Sequence, residues 1–159
     1  MVSNILFNSA EKAIKIRRNL VKNRYLEAVI TLPPKLFFEV NIDVYVLILR
    51  KGRKEENVLF LDARQLFIKQ DAKSNKFSAE NIKEIVNVYE EFRKNQKSNH
   101  PKALVLNSQE IQNKNKNCIL LLKRLLTNKE LSLVKVEELT QQIQEIAVNQ
   151  AASQKQMSK

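Results

Sequence analysis

Between residues 25 and 64 the chain reads YLEAVITLPPKLFFEVNIDVYVLILRKGRKEENVLFLDAR, three strand-length apolar runs set around a Leu-Pro-Pro-Lys-Leu-Phe turn. Residues 26–32 form the first strand, and Pro33-Pro34 ends it because proline has no amide proton for a ladder. Residues 35–38 are predicted to make one helical turn. Residues 44–49 are apolar without a break, the pattern of a central strand covered on both faces. The run Lys51-Gly52-Arg53-Lys54-Glu55-Glu56 is a turn, residues 57–62 are a third strand, and the last two strands read as a hairpin with a longer loop. Such a chain folds around a sheet.

Helical periodicity flanks these runs. Over residues 9–23, Ala13, Ile14, Ile16, Leu20 and Val21 make an apolar arc, Asn8 or Ser9 is placed to cap, and Glu11 lies in the first turn. Lys12, Lys15, Arg18 and Lys22 fall on the opposite face. Arg17 does not: at about 100° per residue it points into the apolar arc, where an unpaired guanidinium is too costly. It therefore needs a carboxylate, with Asp43 or Asp62 as the structural candidates, or a phosphate. Residues 78–95 form the clearest helix, capped by Ser78, with Ile82, Ile85, Val86, Tyr89 and Phe92 at helical spacing. Residues 96–102 are a polar linker and 104–112 are ambiguous. Residues 119–126 are helical by preference. Val136, Leu139, Ile143 and Ile146 step by three and four along a last amphipathic helix, suited to a partner helix or to its own domain.

The chain of 159 residues contains one glycine, Gly52. Nucleotide-binding loops need several glycines to bring backbone up to phosphate, so those routes to a dinucleotide or nucleoside triphosphate are closed. One cysteine, Cys118, and one histidine, His100, make neither an internal disulfide nor a zinc site. Cys118 opens an apolar run and reads as core, so nucleophilic catalysis lacks an activated group. No apolar run approaches bilayer length and no signal-peptide core opens the chain, so a cytoplasmic location is expected. A net charge of +11 favours a nucleic-acid contact, with Lys12, Lys15, Arg18, Lys22 and Arg24 as the phosphate-facing candidates. A solvated helix face gives the same pattern.

The order of these elements resembles one family. Ile16-Arg17 with Leu20, then Glu27-Ala28-Val29-Ile30, Leu32-Pro33, Leu36-Phe37, Ile42, residues 46–49, Arg50-Lys51 and Leu59-Phe60-Leu61-Asp62-Ala63 follow the order and spacing of type I restriction–modification methylase (modification) subunits. These are adenine-N6 DNA methyltransferases, and the resemblance is to their C-terminal half, over roughly residues 5 to 95 and more weakly to 117.

The resemblance implies an α/β fold: the C-terminal half of a methyltransferase-like mixed sheet with flanking helices, plus a C-terminal helical extension. It divides the chain into a partial α/β domain at 1–97, a linker and short helix at 98–126, an amphipathic helix at 127–150 and a disordered tail at 151–159. In the family, S-adenosylmethionine binds a glycine-rich loop, and catalysis uses an Asn/Asp-Pro-Pro-aromatic turn. Both lie upstream of the matched region. Leu32-Pro33-Pro34-Lys35 lacks the amide or carboxylate that accepts from the target amine and the aromatic that stacks on a flipped base. Pro33 and Pro34 are thus expected to shape a loop, and Arg17 to brace it or the sheet. Where family members usually carry Thr, the chain has Val40 and Val44. The implied protein is inactive alone, with no cofactor, metal or membrane of its own. Its partners are DNA, the missing N-terminal methylase half and a specificity subunit. A stand-alone basic nucleic-acid-binding protein and a decayed remnant are the alternatives.

Overall fold

The computed structural model describes residues 3–37, 43–71, 73–114 and 117–126. Two helices, α1 (Ser3–Phe7) and α2 (Glu11–Lys22), lead into β1 (Leu26–Thr31). Strands β2 (Tyr45–Leu49) and β3 (Val58–Asp62), a small ribbon of β4 (Ile68–Lys69) and β5 (Asn75–Lys76), and helix α3 (Ala79–Asn95) follow. The described chain ends with β6 (Ala103–Leu106), α4 (Ser108–Lys114) and α5 (Leu122–Leu125).

The main sheet has the order β2-β1-β3-β6. β1 runs antiparallel to β2 and parallel to β3, and β3 runs antiparallel to β6. All six residues of β1 and four of the five in β3 are buried, so these two are the central strands. Alternation of side chains splits the core into two layers. Val58 and Phe60 of β3 join Leu6, Val21, Ile111, Leu120 and Leu125 on one face. Leu59 and Leu61 join Val88 and Phe92 of α3 on the other. A register shift between Leu26 and Ala28 in β1 places these two residues in opposite layers, the signature of a bulge. Burying each of the large apolar side chains contributes about 1.5–3 kcal/mol. The result is a mixed α/β sheet with helices on both faces.

Local chemistry explains the best-read element. Ser78 caps α3: its Oγ accepts from the Asn81 amide at 3.1 Å, and the Asn81 side chain accepts from the Ser78 amide at 3.0 Å. Gln96, at φ 54°, closes the helix with its amide 2.7 Å from the Phe92 carbonyl.

Several sequence expectations are corrected. The uninterrupted apolar run of β2 lies at a sheet edge instead of its centre. β2 and β3 do not form a hairpin, because both flank β1. The loop between them rounds the start of β1, where Arg53 donates to the carbonyls of Leu26 and Asn57. Residues 34–37 form a turn with Lys35 at φ 55°, not a helical turn. Neither Asn8 nor Ser9 caps α2, whose N-cap is Ala10; the Asn8 side chain accepts from the Ala10 amide at 2.7 Å. In α3, Val88 and Phe92 are buried, whereas Ile82 and Val86 are half-exposed. The stretch 98–126 is not a linker. β6 extends the sheet, the Leu120 amide donates to Leu6, and the compact unit runs from Met1 to Leu125. The expected amphipathic helix with Val136, Leu139, Ile143 and Ile146, the tail at 151–159, and Val40 lie outside the described residues.

Candidate functional site

β1 and β3 end side by side, so the residues that follow them share one rim of the sheet. Pro33 is buried and Pro34 exposed. The Asn75 side chain donates to the Pro34 carbonyl at 2.7 Å, and its amide donates to the Lys35 carbonyl at 2.8 Å. The β4–β5 ribbon thus clamps the proline turn from outside. Pro33 and Pro34 shape this loop edge, and neither contributes a polar side chain to it.

Beside this turn stands Asp62, the last residue of β3. Arg64 Nε lies 2.9 and 3.1 Å from its two carboxylate oxygens, and the Arg64 amide donates to Oδ1 at 3.1 Å. Burial by itself would push the Asp62 carboxyl up, but the Arg64 hydrogen bonds and charge hold it below the ordinary carboxylate range. A carboxylate held this way is a poor proton acceptor. Tyr45, paired across the sheet with Thr31, donates to Asp43 at 3.3 Å. Burial, then Asp43, push its phenol up to about 12. His100 Nε2 lies 3.2 Å from Glu84 Oε1, and Lys102 donates to Gln65. Among the described residues no three His, Cys, Asp or Glu side chains are grouped to hold a metal. Cys118 is buried, and burial pushes its thiol up, away from the nucleophilic thiolate.

The Asp62–Arg64 pair sets an acid limit. Because the folded carboxyl is held below its unfolded value of about 4, its contribution is complete above that value and vanishes as pH falls through the folded one. Asp62→Asn should therefore lower the urea midpoint near pH 7 by the equivalent of about 1 kcal/mol. The gap to the parent should close as pH falls below about 4. A gap that stays constant from neutral pH into acid would refute the pairing.

The candidate phosphate-contacting residues do not all stay together. Lys12, Lys15, Arg18 and Lys22 line the solvent face of α2, where Lys15 also pairs with Glu11 at 2.7 Å, both side chains largely exposed. Arg24 leaves this face. At φ 57° beyond the helix end, it bonds Glu56 and donates to the Lys54 carbonyl at 3.1 Å.

Arg17 is buried as its position demands, yet its partners are neither Asp43 nor Asp62. Its Nε donates to the Cys118 carbonyl at 2.9 Å, Nη1 to Ile5 at 2.6 Å and Nη2 to Asn117 at 2.8 Å. Carbonyls supply partial charge without the desolvation of a carboxylate, and Asp62 is already held by Arg64. Burial keeps the guanidinium below its ordinary value, though still charged. Arg17 therefore ties α1, α2 and residues 117–118 together.

Sequence reasoning overlooked a second charge cluster, built around one buried carboxylate, at the opposite end of the sheet. Glu27, at the β1 bulge, accepts from Arg50 Nε at 3.0 Å and Nη2 at 2.9 Å, with Arg93 Nε 3.9 Å away. Tyr89 is held above its ordinary value by burial and then by Glu27. The available signal was a lone carboxylate inside an apolar strand.

Matches to known proteins agree with this architecture. Residues 1–131 match the family described as N-6 DNA methylase. The MjaVIII methylase subunit of a type I restriction enzyme from Methanocaldococcus jannaschii is 38% identical over 96 residues, covering 57% of this chain and 16% of that protein. The MpnII methylase subunit of Mycoplasma pneumoniae is 36% identical over 75 residues, covering 46% and 14%. In three dimensions, the type I methyltransferase subunit from Streptococcus thermophilus superposes with a TM-score of 0.67 at 27% identity, over 76% of this chain and 24% of that one. The chain thus spans about one sixth of the length of the curated relatives it matches. A match across most of its residues, on a mixed sheet of the same form, places it: the chain belongs to the N-6 DNA methylase family.

Proposed function

We propose that this chain is the C-terminal portion of a type I restriction–modification DNA adenine-N6 methylase subunit, active only beside methylase sequence that supplies the cofactor loop and catalytic turn. The observation that carries this reading is the rim itself. It has the position of a working edge, but its proline turn carries no side-chain amide or carboxylate to accept from an amine, and its Asp62 is committed to Arg64. The family implies S-adenosylmethionine, and the residues present do not fit it. Gly52, the only glycine, lies in an exposed turn after β2 with open space around it, away from the β1 and β3 ends. No chemical step is therefore assigned to this chain.

Its own role is to complete the sheet, and its partners in this reading are DNA, the remainder of the methylase and a specificity subunit. Lys12, Lys15, Arg18 and Lys22 suit non-specific phosphate contact, with Arg24 removed from the set. The family match does not favour a stand-alone nucleic-acid-binding protein. No described helix is long and apolar enough to cross a membrane.

Methyl transfer from labelled S-adenosylmethionine to adenine in duplex DNA tests the reading. The chain alone should give background incorporation. Adding a type I methylase polypeptide that lacks this region, with its specificity subunit, should restore incorporation. Binding of S-adenosylmethionine by the isolated chain in calorimetry would overturn the assignment.

A further inference from the structure

The β4–β5 ribbon carries a charge that its grip on the proline turn does not explain. Residues 65–77 hold three lysines, Lys69, Lys73 and Lys76, against one acid, Asp71. That acid is occupied at the ribbon's own tip. Its Oδ1 accepts from the amides of Lys73 and Ser74, both at 2.7 Å, and its Oδ2 from the Ser74 hydroxyl at 2.6 Å. The lysines are spread by register. Ile68 pairs with Lys76 and Lys69 with Asn75, so Lys76 and Lys69 lie on opposite faces of the ribbon, with Lys73 at the tip. All three are exposed.

The ribbon's place is fixed by Asn75, whose side chain and amide both bond the proline turn, so the lysines are held at the rim where β1 and β3 end. Its neighbour in the chain has the other sign. Helix α3 carries Glu80, Glu84, Glu90 and Glu91 against Lys83, Arg93 and Lys94. The positive excess is therefore local to the ribbon. It is also separate from the basic face of α2. Leu66 and Phe77, which flank the ribbon, pack in the layer with α3, whereas α2 contributes Val21 to the layer on the other side of the sheet.

We propose that the β4–β5 ribbon is a contact for the DNA backbone, in which Lys69, Lys73 and Lys76 take phosphates beside the rim. The proposal rests on the function proposed above. A two-stranded ribbon is narrow enough to enter a major groove, where cations on both faces and at the tip meet phosphates of either wall. An acidic protein surface is the other chemistry that lysines recognise. DNA is favoured because cations on opposite faces need negative charge on both sides, which a groove supplies and a flat surface does not. Ammonium groups act on phosphate as point charges, so the contact is sequence-independent and salt-dependent.

The test titrates the full chain into a fluorescently labelled duplex of mixed sequence over a series of salt concentrations. Lys69→Gln, Lys73→Gln and Lys76→Gln combined should weaken binding at least about tenfold at low salt and flatten the log–log salt slope by about 2.7, three contacts at roughly 0.9 each. Lys83→Gln, Lys94→Gln and Lys97→Gln combined remove the same charge elsewhere and should leave the slope within about 0.9 of the parent's. Both triple variants should keep the parent's circular dichroism and thermal midpoint, because all six side chains are exposed. Equal weakening by the two triples overturns the ribbon, as does a parent that binds no duplex at low salt. So does polyglutamate that displaces the duplex as readily as competitor DNA of equal charge, which would make the surface a contact for acidic protein. The methyl-transfer mixture decides the functional reading separately. Incorporation restored equally, with the same salt dependence, by the parent and the ribbon variant removes the ribbon and leaves that reading standing. Ribbon-dependent DNA binding without restored incorporation does the reverse.

Discussion

Arg17→Ala should destabilise the chain by about 3–5 kcal/mol in urea titration, from three carbonyls left without a donor and the cavity that truncation opens. The side chain is fully buried, and three carbonyls depend on it. Truncation leaves these oxygens in an apolar layer with Leu6, Val21, Cys118 and Leu120, and opens a cavity beside them. Arg17→Met keeps most of the volume and loses only the hydrogen bonds, so it should recover part of the loss. Arg17→Lys keeps the charge but cannot span three acceptors, and should also fall between the extremes. The damage should be local first. Hydrogen exchange at Leu120, whose amide bonds Leu6, should rise more than at Phe60 in the central strand. If Arg17→Met matched the parent within about 0.5 kcal/mol, the bracing role would be wrong.

How much of this was readable beforehand depends on what kind of pattern carried it. The burial of Arg17 followed from its angle on α2. Its partners did not, because Asn117 and Cys118 lie about a hundred residues away and present backbone, which has no sequence signature. Ser78 was readable as a cap because capping is local. The pairing of β1, β2 and β3 was not, since an apolar run reports how covered a strand is and says nothing of which neighbours cover it. The continuous pattern of β2 still carried information: it describes a strand made to be enclosed, and among the described residues only β1 pairs with it. At the rim, Pro33 and Pro34 were read as a strand end, and β1 does stop just before them, at Thr31. The Asn75 clamp escaped notice because two-residue strands have no period to detect. Asp62 was offered to Arg17, yet Arg64, two residues along, reaches it at far lower chain entropy.

Glu27→Ala should destabilise by roughly 3 kcal/mol, toward the low end for breaking a buried ionic contact. Its carboxylate is 1% exposed and serves Arg50 directly, with Arg93 close by and Arg53 buried on the neighbouring carbonyl of Leu26. Removing the anion leaves Arg50 with Glu55 alone, at 3.6 Å, and takes the nearby carboxylate away from Arg93. The loss stays below the upper limit because Arg50 is 41% exposed and can swing into water. Glu27→Gln tests charge apart from shape. The amide keeps a carbonyl for Arg50 but sets its NH2 against another guanidinium donor, so most of the destabilisation should remain. Tyr89 provides a readout that packing loss alone would not move. Its phenol is raised by burial and then by Glu27, so in Glu27→Gln it should titrate lower, short of an ordinary tyrosine because burial persists. Ultraviolet titration with Tyr45 as internal reference resolves this, since Tyr45, at about 12, draws on Asp43 instead. An unchanged Tyr89 in a folded Glu27→Gln variant would mean that Glu27 stabilises by filling space and that its charge is incidental. A lowered one would make the cluster an electrostatic fastening that holds the end of β2 to the bulge of β1.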